Sequence, residues 1–162
     1  MECIASSISL FREATVKKNN HTSNTVVISV LKKMTWTEDQ THFAPELHIP
    51  NGTKNIDFYI KFGAIENFCF RNEDGSIHVA ELVFDGAIFH VHETMRDALE
   101  PIRAKGVTSI IGLFVSDVDA VMQKAIQAGA TEINPTRDYD YGYRQGMFRD
   151  PFGHYWQIQK KI

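Results

Sequence analysis

The chain has 162 residues, 43% hydrophobic and 23% charged, enough to bury a sizeable core without metal or disulfide support. The net charge of −3, with basic residues scattered as pairs such as Lys17-Lys18, Lys32-Lys33 and Lys160-Lys161, argues against nucleic acid or an anionic membrane as partner. No apolar run approaches the roughly 20 residues that span a bilayer, and two cysteines, Cys3 and Cys69, do not make a disulfide framework, so a cytoplasmic setting is expected.

In chain order, residues 1–24 are rich in Ser, Thr, Asn and Lys and read as a partly disordered extension, with Leu10-Phe11 as the seed of a short helix. The run at 25–31, TVVISVL, is an added strand or a helix, since short apolar runs do not decide between the two. Residues 36–42 read as a linker. Organised structure is expected from Phe43. A strand over 44–49 ends at the Pro50-Asn51-Gly52 turn, and a helix over 53–62 stops at Gly63. Strands over 66–71, 76–84 and 87–93 follow, separated by the turn signals NEDG and Asp85-Gly86. A second series begins with a strand over 107–115. Ser116 and Asp117 then offer capping oxygens to a helix whose Val118, Val121, Met122, Ala125 and Ile126 fall on one face. Gly129 ends it, and strands over 131–135, 143–149 and 154–160 complete the chain, the last two joined by the Asp150-Pro151-Phe152-Gly153 turn.

The two series are copies of one pattern. Gly63-Ala64 aligns with Gly129-Ala130 at an offset of 66 residues, and Gly86 aligns with Gly153 at 67. Residues 44–51 meet 110–117 in the same register, which points to a duplicated βαβββ unit. One unit cannot cover both its helix and the open face of its sheet. Two units are expected to form an α+β fold, a curved eight-stranded sheet with helices outside and a concave pocket inside.

The stretches IDFYIKFGAIE, DGSIHVAELVFDG, FVSDVDAVMQKAIQAGA and YGYRQGMFRDPFGHYWQI together resemble the vicinal oxygen chelate superfamily, which includes glyoxalase I, bleomycin and fosfomycin resistance proteins and extradiol dioxygenases. The Gly-x-Arg-x-Gly segment ahead of Asp-Pro-Phe-Gly-His-x-Trp is most similar to its PhnB-like branch. The resemblance covers residues 43–160, with module one at 43–93 and module two at 107–160. It implies paired βαβββ modules, often with sites completed by a second subunit, so a homodimer is expected, with 25–31 as a possible contributor. It also implies that metal-dependent members take His, Gln or Glu ligands from the first and last strand of each module. Carried over, those positions are Ala44, His90, Ile110 and Gln157. Ala44 and Ile110 cannot bind an ion, and a neutral glutamine is a poor ligand.

Glu46 and His48 share the strand face of Ala44, and His92 shares that of His90. The ligand pocket is expected to draw on Glu46, His48, His90, His92, Ile110, Phe114, Tyr141, Arg144 and Gln157. His90 is either a pocket group or a solvent-facing one, and Gln157 either a pocket group or a structural amide. Arg144 either receives an anionic ligand or pairs with an internal carboxylate such as Glu81 or Asp150. His78 reads as a satisfied core residue, and His154 as orienting its turn. No catalytic residue is assigned. Two functions remain: a protein that binds a small organic molecule without cofactor, or a lyase, isomerase or dioxygenase whose divalent metal is held by His90, Glu46, His48 and Gln157.

Overall fold

The structure is a computed structural model that describes residues 41–95 and 98–162. The segments expected at Leu10-Phe11 and at 25–31 lie outside the described residues. Module one contains β1 (Glu46–Ile49), α1 (Asp57–Phe62), β2 (Ile65–Arg71), β3 (Ile77–Phe84) and β4 (Ala87–Glu93). A short helix, α2 (Pro101–Ala104), leads into module two. That module contains β5 (Ile111–Phe114), α3 (Val118–Ala128), β6 (Thr131–Tyr139), β7 (Tyr143–Arg149) and β8 (Tyr155–Lys161). Both modules have the expected βαβββ order, and the fold is α+β.

The strands form two four-stranded sheets, ordered β1-β4-β3-β2 and β5-β8-β7-β6. The single eight-stranded sheet expected from the sequence is therefore divided: the ladders stop at β1 and β5. In each module the edge strand β1 or β5 pairs in parallel with the last strand, and the other pairings are antiparallel. What links the modules is side-chain packing. Phe62 of α1 lies against Phe148 and Trp156 of module two, with ring centroids 5.4 and 5.6 Å away, and Phe89 of β4 meets Trp156 at 5.4 Å. Trp156, Tyr59, Phe62 and Phe148 are the largest fully buried side chains, so one aromatic core serves both halves.

Asp150 ties that core together. Its Oδ2 accepts from the Tyr59 hydroxyl at 2.8 Å and from Trp156 Nε1 at 3.0 Å, while Oδ1 accepts the Phe152 and His154 amides. Burial, reinforced by the Asp150 carboxylate, holds the Tyr59 phenol well above its ordinary range. His154 does orient its turn and also reaches across the modules: its Nε2 donates to the His48 carbonyl at 2.9 Å. Burial depresses its pKa, which keeps the ring in this neutral donor form.

The largest differences in element boundaries are at α1, β5 and β6. Helix α1 starts at Asp57, not 53, because Thr53 turns both its amide and its hydroxyl back onto the Pro50 carbonyl and Asn55 caps the Asp57 amide. Strand β5 starts at Ile111, not 107: the chain leaves α2 through left-handed Lys105, residues 107–110 form a link, and the ladder to β8 begins only with Ile111 beside Trp156. Strand β6 runs on to Tyr139; as an edge strand it tolerates Pro135, and two register shifts absorb the irregularity. Helix α3 begins where expected, with Asp117 Oδ1 accepting the Ala120 amide, and ends at Gly129 with φ 112°. Val118, Val121, Met122 and Ala125 are buried, whereas Ile126 at the edge of that stripe is exposed.

Candidate functional site

In each module one sheet face packs on the core and the other is open. Pairing registers place the open-face residues in cross-strand rows. In module one the first row is Phe68, Glu81, His90, Glu46, and the second is Phe70, Val79, His92, His48. In module two the matching rows are Asn134, Met147, Gln157, Gly112 and then Arg137, Gln145, Gln159, Phe114. The duplication is thus visible in the ladders: Glu46 beside His90 repeats as Gly112 beside Gln157, at the same offsets of 66 and 67 residues that the sequence carries.

This register corrects two positions. Ala44 precedes β1 and Ile110 precedes β5, so neither stands beside the last strand. Glu46 and Gly112 do. A parallel ladder selects the neighbour through its hydrogen bonds, here His90 N to the Pro45 carbonyl, and that choice is two residues later than the aligned landmarks indicate. Module one therefore offers an acid and an imidazole where an alanine and an imidazole were expected. Module two offers a residue without a side chain.

The two faces have opposite chemistry. On module one His90 Nε2 is 3.1 Å from Glu81 Oε2, and Asn67 Nδ2 donates to the other oxygen of that carboxylate at 2.7 Å. His78 Nδ1 donates to Glu93 at 2.7 Å, and with Asn72 it holds the Glu93 carboxyl below its usual pKa, the His78 hydrogen bond being the largest cause. His78 is thus satisfied, but on a partly exposed ring, not in the core. His92 is buried; its Nδ1 donates to the Glu93 carbonyl at 2.7 Å, and its ring stands edge-on to His78 at 4.8 Å. His48 Nε2 lies 3.8 Å from Glu46, and its Nδ1 is buried without a hydrogen-bond partner among the described residues. Glu46 and His48 border a cleft of about 340 Å³ whose other wall includes Ser109, Ile111 and His154.

The module-two face carries no acid in these rows: it is built of amides and aromatic rings, with Arg137 at its β6 edge, over the Tyr139 ring at 4.5 Å. Gln157 Nε2 and Gln145 Nε2 both donate to Gln159 Oε1, at 3.2 and 2.8 Å. Tyr141, in the β6–β7 turn, donates to Gln145 at 2.6 Å, and its ring lies 6.0 Å from that of Tyr143, which in turn stands 6.3 Å from Phe114. Phe114 and Tyr141 are both more than half exposed. Ile110 is exposed in the loop before β5. Arg144 lies on the other side of this sheet, toward α3. Its fork binds Asp119 through Nε and Nη2 at 2.8 and 2.9 Å and Asp138 through Nη1 at 2.7 Å. Of the two roles considered for Arg144, it takes carboxylate pairing, with partners other than Glu81 or Asp150, because α3 passes over β7.

The expected residues therefore fall into three groups. Glu46, His48, His90 and His92 are together on module one; Phe114, Tyr141 and Gln157 are on module two; Ile110 and Arg144 are off both open faces. Sequence reasoning missed Glu81 as the partner of His90, and also missed Gln145 and Gln159. Period-two counting from His90 and Gln157 reaches Gln159 but does not reveal which neighbouring strands contribute Glu81 and Gln145.

Residues 40–158 match the family model for the Glyoxalase/Bleomycin resistance protein/Dioxygenase superfamily. The chain belongs to this superfamily. A curated relative, the uncharacterized protein Mb0911c of Mycobacterium bovis, is 32% identical over 125 residues, spanning 74% of this chain and 82% of its own. Among solved structures, TioX from Micromonospora sp. ML1 superposes with a TM-score of 0.55 at 24% identity, covering 75% of this chain and 100% of that one. A bleomycin-binding protein complexed with bleomycin superposes at 0.53 and 14% identity over 76% and 100%. At these identities the structural likenesses establish the superfamily's fold.

The superfamily's metal position falls on Glu46, His90, Gly112 and Gln157. Glu46 and His90 are donors, but His90 is already engaged by Glu81; Gly112 has none, and Gln157 is a neutral amide bonded to Gln159. A divalent ion needs about three protein donors with compensating charge. These four positions do not fit one.

Proposed function

We propose that this superfamily member binds a small organic molecule on its open sheet faces, as a homodimer, without an ion at the shared metal position. The observation that carries this reading is the module-two row, where Gly112, Gln157 and Met147 supply no anionic donor. The same face supplies what a flat, neutral or conjugated molecule needs. Tyr141, Tyr143 and Phe114 offer ring faces for stacking, and the Gln145–Gln159–Gln157 chain offers amide donors and acceptors. The Gly142-x-Arg144-x-Gly146 and Asp150–Trp156 motifs favour the PhnB-like branch. Their roles here are structural, in the Arg144 fork and the Asp150 core node, so they bear on ancestry and not on chemistry.

The second reading, a metal-dependent lyase, isomerase or dioxygenase, is favoured by Glu46 standing beside His90. It would need a third donor from module two. The two readings separate in one measurement, fluorescence titration with the aromatic probe anilinonaphthalene sulfonate. Saturable binding that persists in excess chelator and weakens in Phe114→Ser is the expected result. Probe binding abolished by chelator and restored by a divalent ion would overturn the metal-free reading.

A further inference from the structure

Glu46, which stands beside His90 at the superfamily position, also forms a constellation with His48 and His92, the pair one row further along the strands. One ligand atom from each lies within 4.8 Å of the corresponding atom of the other two. We propose that these three side chains bind a transition-metal ion of the zinc type within module one alone. The inference does not rest on the organic-ligand reading above.

Three features beyond proximity point to an ion. The first is the tautomer of His92. Its Nδ1 must carry the proton it gives to the Glu93 carbonyl, which leaves Nε2 with a lone pair and no hydrogen bond among the described residues. A backbone carbonyl holding the far nitrogen is the arrangement that orients and sharpens a metal-ligating imidazole. The second is His48. It makes no hydrogen bond through either nitrogen among the described residues: Nδ1 is buried without a partner, and Nε2 only approaches Glu46 at 3.8 Å, too far for a hydrogen bond. The third is the division of labour among the histidines of module one. His90 and His78 are taken up by Glu81 and Glu93, while the remaining two imidazoles converge with the remaining acid.

The donor chemistry selects the ion. Two imidazole nitrogens and one carboxylate oxygen suit zinc, cobalt or nickel better than magnesium or calcium, which favour all-oxygen sets. Bonds of about 2.0–2.1 Å place tetrahedral donors roughly 3.4 Å apart. Glu46, half exposed and already near His48, is the donor free to close that distance. Three protein donors leave a fourth position for water or an oxygen ligand beside the cleft that Glu46 and His48 line. Because all three donors belong to β1 and β4, the site needs neither module two nor a second subunit.

The test uses the full chain without a histidine tag, stripped with chelator and dialysed. Titration with zinc chloride by calorimetry, and with cobalt chloride by visible absorption, should give one equivalent per chain and a rise in melting temperature. Affinity should fall roughly tenfold or more in each of Glu46→Gln, His48→Gln and His92→Gln. His90→Gln and His78→Gln should bind as the parent does. Circular dichroism of the metal-free variants reports folding; should His92→Gln unfold, the more exposed Glu46→Gln and His48→Gln decide the question. Absence of saturable uptake, uptake undiminished by His48→Gln and Glu46→Gln, or an equal loss in His90→Gln would each overturn the proposal.

Discussion

Asp150 concentrates more bonding than any other polar side chain of the core, with Tyr59, Trp156 and two backbone amides all donating to one buried carboxylate. Replacing it by alanine strands three buried donors and one part-buried one, so Asp150→Ala should cost about 3 kcal/mol or more, read as a lowered urea midpoint with unchanged slope. Tyr59→Phe removes one of these bonds and should cost about 1–2 kcal/mol. A variant that melts like the parent would show that the node does not hold the modules together. Arg144 makes stability depend on pH. The Arg144 fork holds the Asp119 carboxyl below its ordinary value. A carboxylate with a depressed folded pKa adds stability above its unfolded pKa of about 3.9, and loses it as pH falls from there through the folded value. The stability gap between the parent and Arg144→Gln should therefore be present at neutral pH and close in acid below about pH 4. Because both groups meet solvent, added salt should also narrow it.

At the scale of elements, α3 shows local sequence and tertiary contact agreeing. Asp117 caps it, its apolar stripe is buried, and Gly129 ends it in the left-handed region. Asp117→Ala should cost about 1 kcal/mol and Asp117→Ser much less, measured by thermal or urea unfolding. The same helix explains Gly146. A Cβ there would stand 3.0 Å from three side-chain atoms of Met122, so an added methyl fits only if Met122 gives way. Gly146→Ala should destabilise by about 1–2 kcal/mol unless Met122 is also shortened, and Met122→Ala should recover part of the loss. The sheets carry the divergence between modules. Their ladders superimpose row by row, yet Glu46, His48 and His92 in one correspond to Gly112, Phe114 and Gln159 in the other. Duplication preserved the backbone while the open faces separated into one bearing acids and imidazoles and one built mainly of amides and aromatic rings.

For the whole molecule, the distribution of apolar surface bears on assembly. Strand β2 is an edge strand and leaves Ile65 and Phe70 largely exposed, with Phe68 beside them on the same strand. Edge backbone and a hydrophobic row together are a surface that solitary chains usually protect. If the chain is a homodimer, light scattering should give the mass of two chains, and Phe70→Glu should shift the mass toward one chain without lowering the melting temperature at low concentration. A mass of one chain at all concentrations would remove the dimer from the proposed function. Among the described residues no helix is long and apolar enough to cross a membrane.

The sequence by itself determined the order of the elements within each module, the duplication and the residue types on each strand, though not the short helix α2 between the modules. These depend on local physics: period two, turn glycines, and a capped amphipathic helix whose start and stop are written at Asp117 and Gly129. It also brought Glu46, His48, His90 and His92 into one field of view, since alternation along two strands is enough for that. Only the tertiary structure decided how strands align with one another. The β1–β4 ladder put Glu46, not Ala44, beside His90; the β3–β4 ladder gave His90 to Glu81; and α3 lying over β7 drew Arg144 off the open face. The division into two sheets likewise depends on which edges find hydrogen-bond partners. Register and partnership are set by contacts between residues tens of positions apart, and a two-residue shift keeps the hydrophobic pattern on the same face while changing every neighbour across the strand.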